Sequence, residues 1–210
     1  MQAATTPVFQ TSHDLRVCVE TLYQRNSATS SELLEDLAHI EGYVQQSYAG
    51  RSLFELLQNG RDAAQVADEP GTLEVELLVR DETVWLLVRN TGAALTPAGV
   101  EGLTRFGQST KSGVGTIGHK GLGFKAVSQL SDSPRIVTRW GTLLFDVKLT
   151  RAHYEQERKQ PAPAALPLFY LPHYAPDCLT SDELERNIAT RVELPLRDAT
   201  ALALVEADVN

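Results

Sequence analysis

The chain has 210 residues, 42% of them hydrophobic, with a formal net charge of −8 and an isoelectric point near 5.1. This length supports one substantial core, and the acidic balance argues against a constitutive nucleic-acid or anionic-membrane surface. No stretch approaches the roughly 18 apolar residues of a membrane span, and the N-terminus lacks the basic and apolar regions of a signal peptide. We therefore expect a cytoplasmic protein with no membrane partner, which meets nucleic acid only through other proteins.

The cysteines and histidines show no metal-type spacing. Cys18 and Cys178 lie far apart, and no two of the five histidines are spaced to share one helix face as zinc ligands. We expect both thiols to be reduced and structural, and we do not expect a zinc site.

Hydrophobic periodicity and capping signals organise the first half of the chain. Ser30 or Ser31 can cap a helix that Gly50 ends. The Pro70-Gly71 pair then marks a turn before two strands. In chain order we expect a helix or a strand within residues 1–29, helices at about 31–49 and 52–67, antiparallel strands at 73–79 and 83–88, and a helix from Thr96-Pro97 to about Arg105.

Glycine and proline shape the second half of the chain. Residues 107–121 contain five glycines, which predicts a mobile loop rich in exposed backbone. Five prolines within residues 151–177 indicate an irregular excursion, either an insertion or the cover of a sheet edge. The other expected elements are a helix at about 122–130, a hairpin of strands at 134–140 and 142–149 about Gly141, a short helix at 181–187, a strand at 190–196 and a helical tail at 198–205.

This order of helices and hairpins lacks the regular alternation of a doubly wound parallel sheet. It predicts an α+β fold, in which a mixed, mostly antiparallel sheet is covered by helices on one face. We place one domain at residues 30–197, with residues 1–29 as an extension that packs on it. The proline-rich insertion falls at about 151–180, and residues 198–210 form a tail or a link to a further region.

Three polar side chains share one face of the helix expected at 52–67. Glu55, Asn59 and Asp62 lie at i, i+4 and i+7 of an otherwise apolar segment. An amide oxygen can ligate Mg²⁺, while a carboxylate one turn away can hold and polarise a water molecule. The plain alternative is the solvated stripe of an amphipathic helix, which is common.

A second cluster surrounds the start of the helix expected at 122–130. Gly118, Gly121 and Gly123 permit close backbone approach, and a helix N-terminus presents free N–H groups, so this segment can cradle phosphates. Three lysines can add positive charge: Lys111, Lys120 and Lys125. The same glycines could serve tight turns alone, and the pattern is neither a Rossmann fingerprint nor a P-loop.

The order of these segments resembles the GHKL superfamily of ATPases, which includes gyrase B, Hsp90, histidine kinases and MutL. The resemblance extends from about Glu32 to Leu196, and three short segments within it look like motifs of that family. They are Glu55–Ala63, which resembles the N box, Ile117–Phe124, which resembles the second glycine box, and Thr190 with Val192 and Leu194, which resembles the last motif strand. The Asp62-Ala63 pair is typical of the Hsp90, gyrase and MutL branch, and residues 121–127 (GLGFKAV) are most similar to Hsp90-type domains of the sacsin kind.

The resemblance implies a two-layer sandwich of the Bergerat type, with ATP and Mg²⁺ between the helices and a lid at residues 107–120. Glu55 would be the general base that activates the attacking water, and Asn59 would ligate the Mg²⁺ that bridges the phosphates. Thr190 would help to hold the adenine. The other implied nucleotide contacts are Asp62, Ala63, Asn90, Gly92, Leu95, Lys111, Gly118, His119, Lys120, Gly121, Leu122, Gly123, Phe124 and Lys125. Asp62 could equally stabilise its helix, and Lys125 could equally be a solvated helix residue.

Asn90 is the main departure from the family pattern, which usually has an aspartate there to accept the adenine amino group. Asn90 begins the segment that corresponds to the first glycine box of the family, and Ala94 replaces the second glycine of that box. The Asn90 amide oxygen can still accept from adenine N6–H, yet its N–H₂ can donate to guanine O6. We expect adenine binding to persist with weaker selectivity, because a neutral acceptor weakens this hydrogen bond by roughly 1 kcal/mol.

The function expected from the resemblance is Mg²⁺-dependent ATP binding with slow hydrolysis, used as a conformational switch. Such hydrolysis would be weak in isolation, and we expect further domains or protein partners, with a possible dimer that forms when ATP closes the lid. The alternative is a non-catalytic Hsp90-like module for protein interaction. Retention of Glu55 and Asn59 argues against that alternative, and Asp62-Ala63 argues against a histidine kinase.

Overall fold

The computed structural model describes residues 7–48, 50–105 and 123–209. Within them the α-helices are α1 Ser12–Ser27, α2 Ser31–Ser47, α3 Ser52–Ala67, α4 Pro97–Thr104, α5 Val147–Arg158, α6 Ser181–Glu185 and α7 Ala199–Val209, and a 3₁₀ helix spans Gly123–Gln129. The strands are β1 Leu73–Arg80, β2 Thr83–Asn90, β3 Arg135–Thr138, β4 Gly141–Leu144, β5 His173–Ala175 and β6 Thr190–Pro195. None of the described helices is both long and apolar enough to cross a lipid bilayer.

The six described strands form one sheet in the order β1-β2-β6-β3-β4-β5. Every pairing in it is antiparallel, so the α+β class is confirmed, whereas the expected mixed sheet is wrong for the described strands. The register places Leu73 of β1 opposite Asn90 at the end of β2, and Asn90 opposite Thr190 at the start of β6. Two residues of the predicted site therefore share one end of the sheet.

The main core lies between one face of the sheet and most of the helices. Leu86 of β2 and Leu194 of β6 are directly opposite each other on that face, and both are fully buried. Leu15 and Val19 of α1 join the same cluster, so the N-terminal helix is an integral part of the core. α1 begins with a capping box, in which Thr11 and Asp14 satisfy each other's backbone N–H groups.

The expected cover by helices on one face is wrong for α6. This helix lies on the opposite face, where Leu184 packs against a small cluster of Val137, Leu179 and Ile188.

The proline-rich region differs from its prediction. β4 ends at Leu144 and α5 begins at Val147, where residues 142–149 were expected to continue as a strand. The Asp146 carboxylate accepts from Leu149 N at 2.9 Å and caps α5, which stops the strand. After α5 the chain buries Phe169 and forms β5 beside β4, so this segment covers both the core and an edge of the sheet.

The other expected elements agree with the structure to within a few residues. This holds for α2, α3, β1, β2, α4, α6, β6 and α7, and the helix expected at 122–130 takes the tighter 3₁₀ form. The glycine-rich loop expected at 107–121 lies outside the described residues.

Candidate functional site

α3 carries the polar stripe along the margin of the core. Leu53 and Leu56 are buried, and Gly60 lies against the sheet. A Cβ atom at Gly60 would lie 2.2 Å from Leu73 Cδ2 and 3.1 Å from Asn90 Cβ. The missing side chain therefore allows α3 to approach the end of β2 where Asn90 lies.

The three polar residues of the stripe differ in exposure. The Glu55 side chain is only 13% exposed, whereas Asn59 is exposed and the Asp62 carboxylate accepts a hydrogen bond from Arg61 in solvent. Glu55 Oε1 lies 3.8 Å from Arg51 Nη2 one turn earlier. The stripe thus runs from a sheltered carboxylate to a solvent-facing amide, which is a donor set that suits a hydrated Mg²⁺ and a phosphate group.

Gly123 brings the second predicted cluster against this carboxylate. A Cβ atom at Gly123 would lie 2.1 Å from Glu55 Oε2, so any side chain there would displace Glu55. Ser52 Oγ donates to Ala126 O at 2.8 Å and ties the first turn of α3 to the 3₁₀ helix. Gly123 therefore limits the position of the Glu55 side chain, and the Ser52 hydrogen bond holds α3 against the 3₁₀ helix.

Asn90 and Thr190 form a hydrogen-bonded pair at the end of the sheet. Thr190 Oγ1 donates to Asn90 Oδ1 at 2.5 Å, and Asn90 Nδ2 donates to the Thr91 carbonyl oxygen at 2.9 Å. Because that carbonyl can only accept, it fixes the orientation of the Asn90 amide. Asn90 Oδ1 keeps a second lone pair, and Nδ2 keeps a second proton.

The segment after Asn90 is bound to α3 by backbone contacts. Gly92 has a φ of +99°, and Ala93 N donates to Ala63 O at 2.9 Å. The next residues border a cavity of about 540 Å³ beside the Asn90 end of the sheet. Its lining includes Gly92, Leu95, Trp140 and Ala189.

We predict that Gly92→Ala will destabilise the domain by at least about 2 kcal/mol. A Cβ atom there would lie 2.7 Å from both Ala63 C and Ala64 N, and the backbone conformation favours glycine. Urea unfolding measures the loss. Gly102→Ala is the matched control, because a Cβ atom at that helical position has no atom within 4 Å. Equal stability of the two variants would contradict the prediction.

Lys125 and Phe124, which were expected to contact nucleotide, have their side chains in the core. Lys125 is fully buried, and its Nζ donates to Leu103 O at 2.5 Å. Burial lowers the pKa of Lys125 to about 8, and the nearby Glu41 carboxylate opposes that shift. Phe124 packs edge-on against Phe169 with ring centroids 5.6 Å apart.

Glu41 is a buried charged residue that the sequence analysis did not single out. Its two carboxylate oxygens accept from the backbone N–H groups of Leu168 and Phe169 at 2.5 and 2.9 Å. Burial raises the pKa of Glu41, while Lys125 and these two N–H groups oppose the shift. Glu41 and Lys125 thus link α2, the 3₁₀ helix and the proline-rich segment in one polar cluster.

Six of the expected nucleotide contacts lie outside the described residues. They are Lys111, Gly118, His119, Lys120, Gly121 and Leu122, and the whole of the expected lid at 107–120 lies there too. Among the described contacts, the structure brings together two groups at successive positions along α3. One is Glu55 with Gly123, and the other is Asn90 with Gly92, Ala63 and Thr190.

The fold and this site define an antiparallel α+β domain with a polar helix face set against a glycine turn and an Asn–Thr pair. No protein-family model matches the chain. A segment of 128 residues is 32% identical to Protein NO VEIN of Arabidopsis thaliana. That segment covers 60% of this chain and 4% of the plant protein, so the similarity concerns a small part of a much longer chain.

Proposed function

We propose that this domain binds Mg²⁺–ATP and hydrolyses it slowly, as a conformational switch of the GHKL type with a Bergerat-like fold. One observation carries the proposal. Gly123 fits directly against the sheltered carboxylate of Glu55, on the same helix that packs at Gly60 against Asn90, the hydrogen-bond partner of Thr190. One helix thus presents a candidate base near its start and adjoins candidate base-recognition groups further along.

The residues of the site suit the proposed chemistry. Glu55 is sheltered enough to hold one water molecule and to accept its proton as the water oxygen attacks the γ-phosphorus, which releases ADP and inorganic phosphate. The exposed amide of Asn59, one turn further along α3, would ligate Mg²⁺. When bound, the metal supplies positive charge to the phosphate oxygens.

The orientation of the Asn90 amide is compatible with adenine binding. Its Oδ1 accepts from Thr190 and keeps one lone pair that can accept from adenine N6–H. The second Nδ2 proton can donate to guanine O6, so this amide alone discriminates weakly between the two bases. We expect adenine binding to persist, with a modest preference for ATP over GTP.

We predict that Asn59→Ala will weaken Mg²⁺–ATP binding by about ten- to a hundredfold, because it would remove the amide oxygen that would ligate the metal. Calorimetric titration with a non-hydrolysable ATP analogue, with and without Mg²⁺, measures the effect. Gln65→Ala is the control, since it removes an exposed amide from the same helix. Equal binding by the two variants would exclude Asn59 as a metal ligand.

A non-catalytic interaction module is the second candidate. It is favoured by the internal contacts of two expected nucleotide ligands, since Asn90 bonds to Thr190 and Thr91 and Lys125 bonds to Leu103. That candidate requires no measurable binding of ATP or GTP by the intact protein. The same titration therefore separates the two functions.

A further inference from the structure

Among the residues that the structure describes, β1 is an edge strand, and its apolar side is exposed. Four alternating residues expose large fractions of their surface: Leu73 38%, Val75 43%, Leu77 42% and Val79 70%. They lie on the face of the sheet that forms the core, because Leu77 is opposite the fully buried Leu86 and Val75 is opposite the buried Val88. The apolar face of the sheet therefore continues past its helical cover to the edge.

The exposed edge of β1 lacks the features that usually prevent an edge strand from pairing with another chain. An edge strand presents unpaired N–H and C=O groups, and natural proteins protect it with lysine, proline or inward-pointing charges. The apolar side of β1 carries none of these over its eight residues. Within the described ranges, β2 is the sole strand that pairs with β1.

We propose that β1 pairs antiparallel with β1 of a second copy of this chain, about a two-fold axis that passes through Leu77. This pairing would join two six-stranded sheets into one continuous sheet. It is isologous, so each contact occurs twice except at Leu77, which meets its own equivalent. The proposal concerns an edge of the sheet and does not depend on nucleotide binding.

The charges of β1 favour this register. With the axis on Leu77, residues 74–80 of the two copies pair, Val75 faces Val79, and Glu74 faces Arg80 of the second copy. The Glu74 and Arg80 side chains are 33% and 46% exposed. Arg80 lies 3.8 Å from Glu193 and over the Trp85 ring, and it would exchange these contacts for Glu74 of the second copy. Glu74 already contacts Arg186 at 2.5 Å, and its carboxylate has lone pairs left for a second guanidinium.

Other registers fit less well. An axis through Glu76 sets two carboxylates directly opposite each other, and an axis through Val75 sets Glu74 against Glu76. An axis that passes between two neighbouring residues would pair each apolar residue of one copy with a residue from the charged side of the other copy. An axis through Leu78 shortens the pairing to residues 76–80.

Sedimentation velocity of the nucleotide-free protein, from about 1 to about 100 µM, tests the pairing. We expect a dimer with a micromolar dissociation constant, since one strand pair is smaller than a standard interface. Leu77→Lys and Leu77→Glu should each raise that constant by at least about tenfold, because like charges then meet on the axis. A mixture of the two variant proteins should restore dimers, because Lys then faces Glu.

The mixture also guards against a folding artefact, because misfolded chains would not recover by mixing. Val66→Lys is the matched control, since Val66 is 76% exposed on α3, and it should dimerise like the parent protein. A parent protein that stays monomeric over the whole range would overturn the proposal. So would variants that dimerise as well as the parent, or a mixture that stays monomeric.

Discussion

Glu55→Gln is expected to lower ATP turnover by about 10²- to 10⁴-fold while Mg²⁺–ATP still binds, because the amide cannot accept the proton of the attacking water. The substitution preserves the shape that fits against Gly123, so the change is chemical rather than steric. The carboxylate is 13% exposed, and its ion pair to Arg51 is long at 3.8 Å, which leaves it able to hold a water molecule. Release of inorganic phosphate, measured with excess enzyme, reports the chemical step directly.

Three readouts separate this role from a structural one. The thermal midpoint of Glu55→Gln should match that of the parent, and its affinity for the non-hydrolysable analogue should change by less than about threefold. Glu32→Gln, an exposed carboxylate at the start of α2, should leave turnover unchanged. Unchanged turnover in Glu55→Gln would mean that another group activates the water.

Elements with strong local signals could be predicted from the sequence. α3 was placed from Ser52 to Ala67, and the β1–β2 pairing follows from alternation on both sides of a short polar link. The register then brings Asn90 to Thr190, which are 100 positions apart in the chain. Local patterns do not predict this pairing; the expectation that both residues hold one base follows from the resemblance alone.

Elements that depend on tertiary contacts could not be predicted. The apolar pattern of β4 runs on through Val147 and Leu149, and a single cap at Asp146 turns it into α5. From sequence alone, Lys125 is expected to be a surface or phosphate-binding lysine. Its neighbour Glu41 lies far away in sequence and its acceptor, Leu103 O, is a backbone atom, so neither partner is visible in the local pattern. The burial of a charged pair is decided by packing and leaves no local pattern.

Glu183→Gln is expected to cost about 3 kcal/mol of folding free energy at pH 7. The Glu183 side chain is 4% exposed on the outer face of the sheet, where Arg89 Nε donates to Oε1 at 2.8 Å and Arg191 donates to Oε2. Thr180 N also donates to Oε2 at 2.9 Å, which closes the capping box of α6. The amide would accept fewer of these hydrogen bonds and would leave two arginines without their shared negative charge.

The same network makes a prediction about pH. Burial alone would raise the pKa of Glu183, but hydrogen bonds from Arg191, Thr180 and Arg89 outweigh it and lower the pKa from 4.5 to about 2. A carboxyl group with a lowered folded-state pKa stabilises the fold fully above its unfolded pKa, and this contribution is lost as the pH falls from about 5 to about 2. The stability difference between the parent and Glu183→Gln, measured by urea unfolding, should therefore shrink by more than half between pH 7 and pH 3.

Glu185→Gln on the same helix is exposed and should change stability by less than about 0.5 kcal/mol at either pH. A difference for Glu183→Gln that stays constant with pH would show that the carboxylate charge does not stabilise the fold.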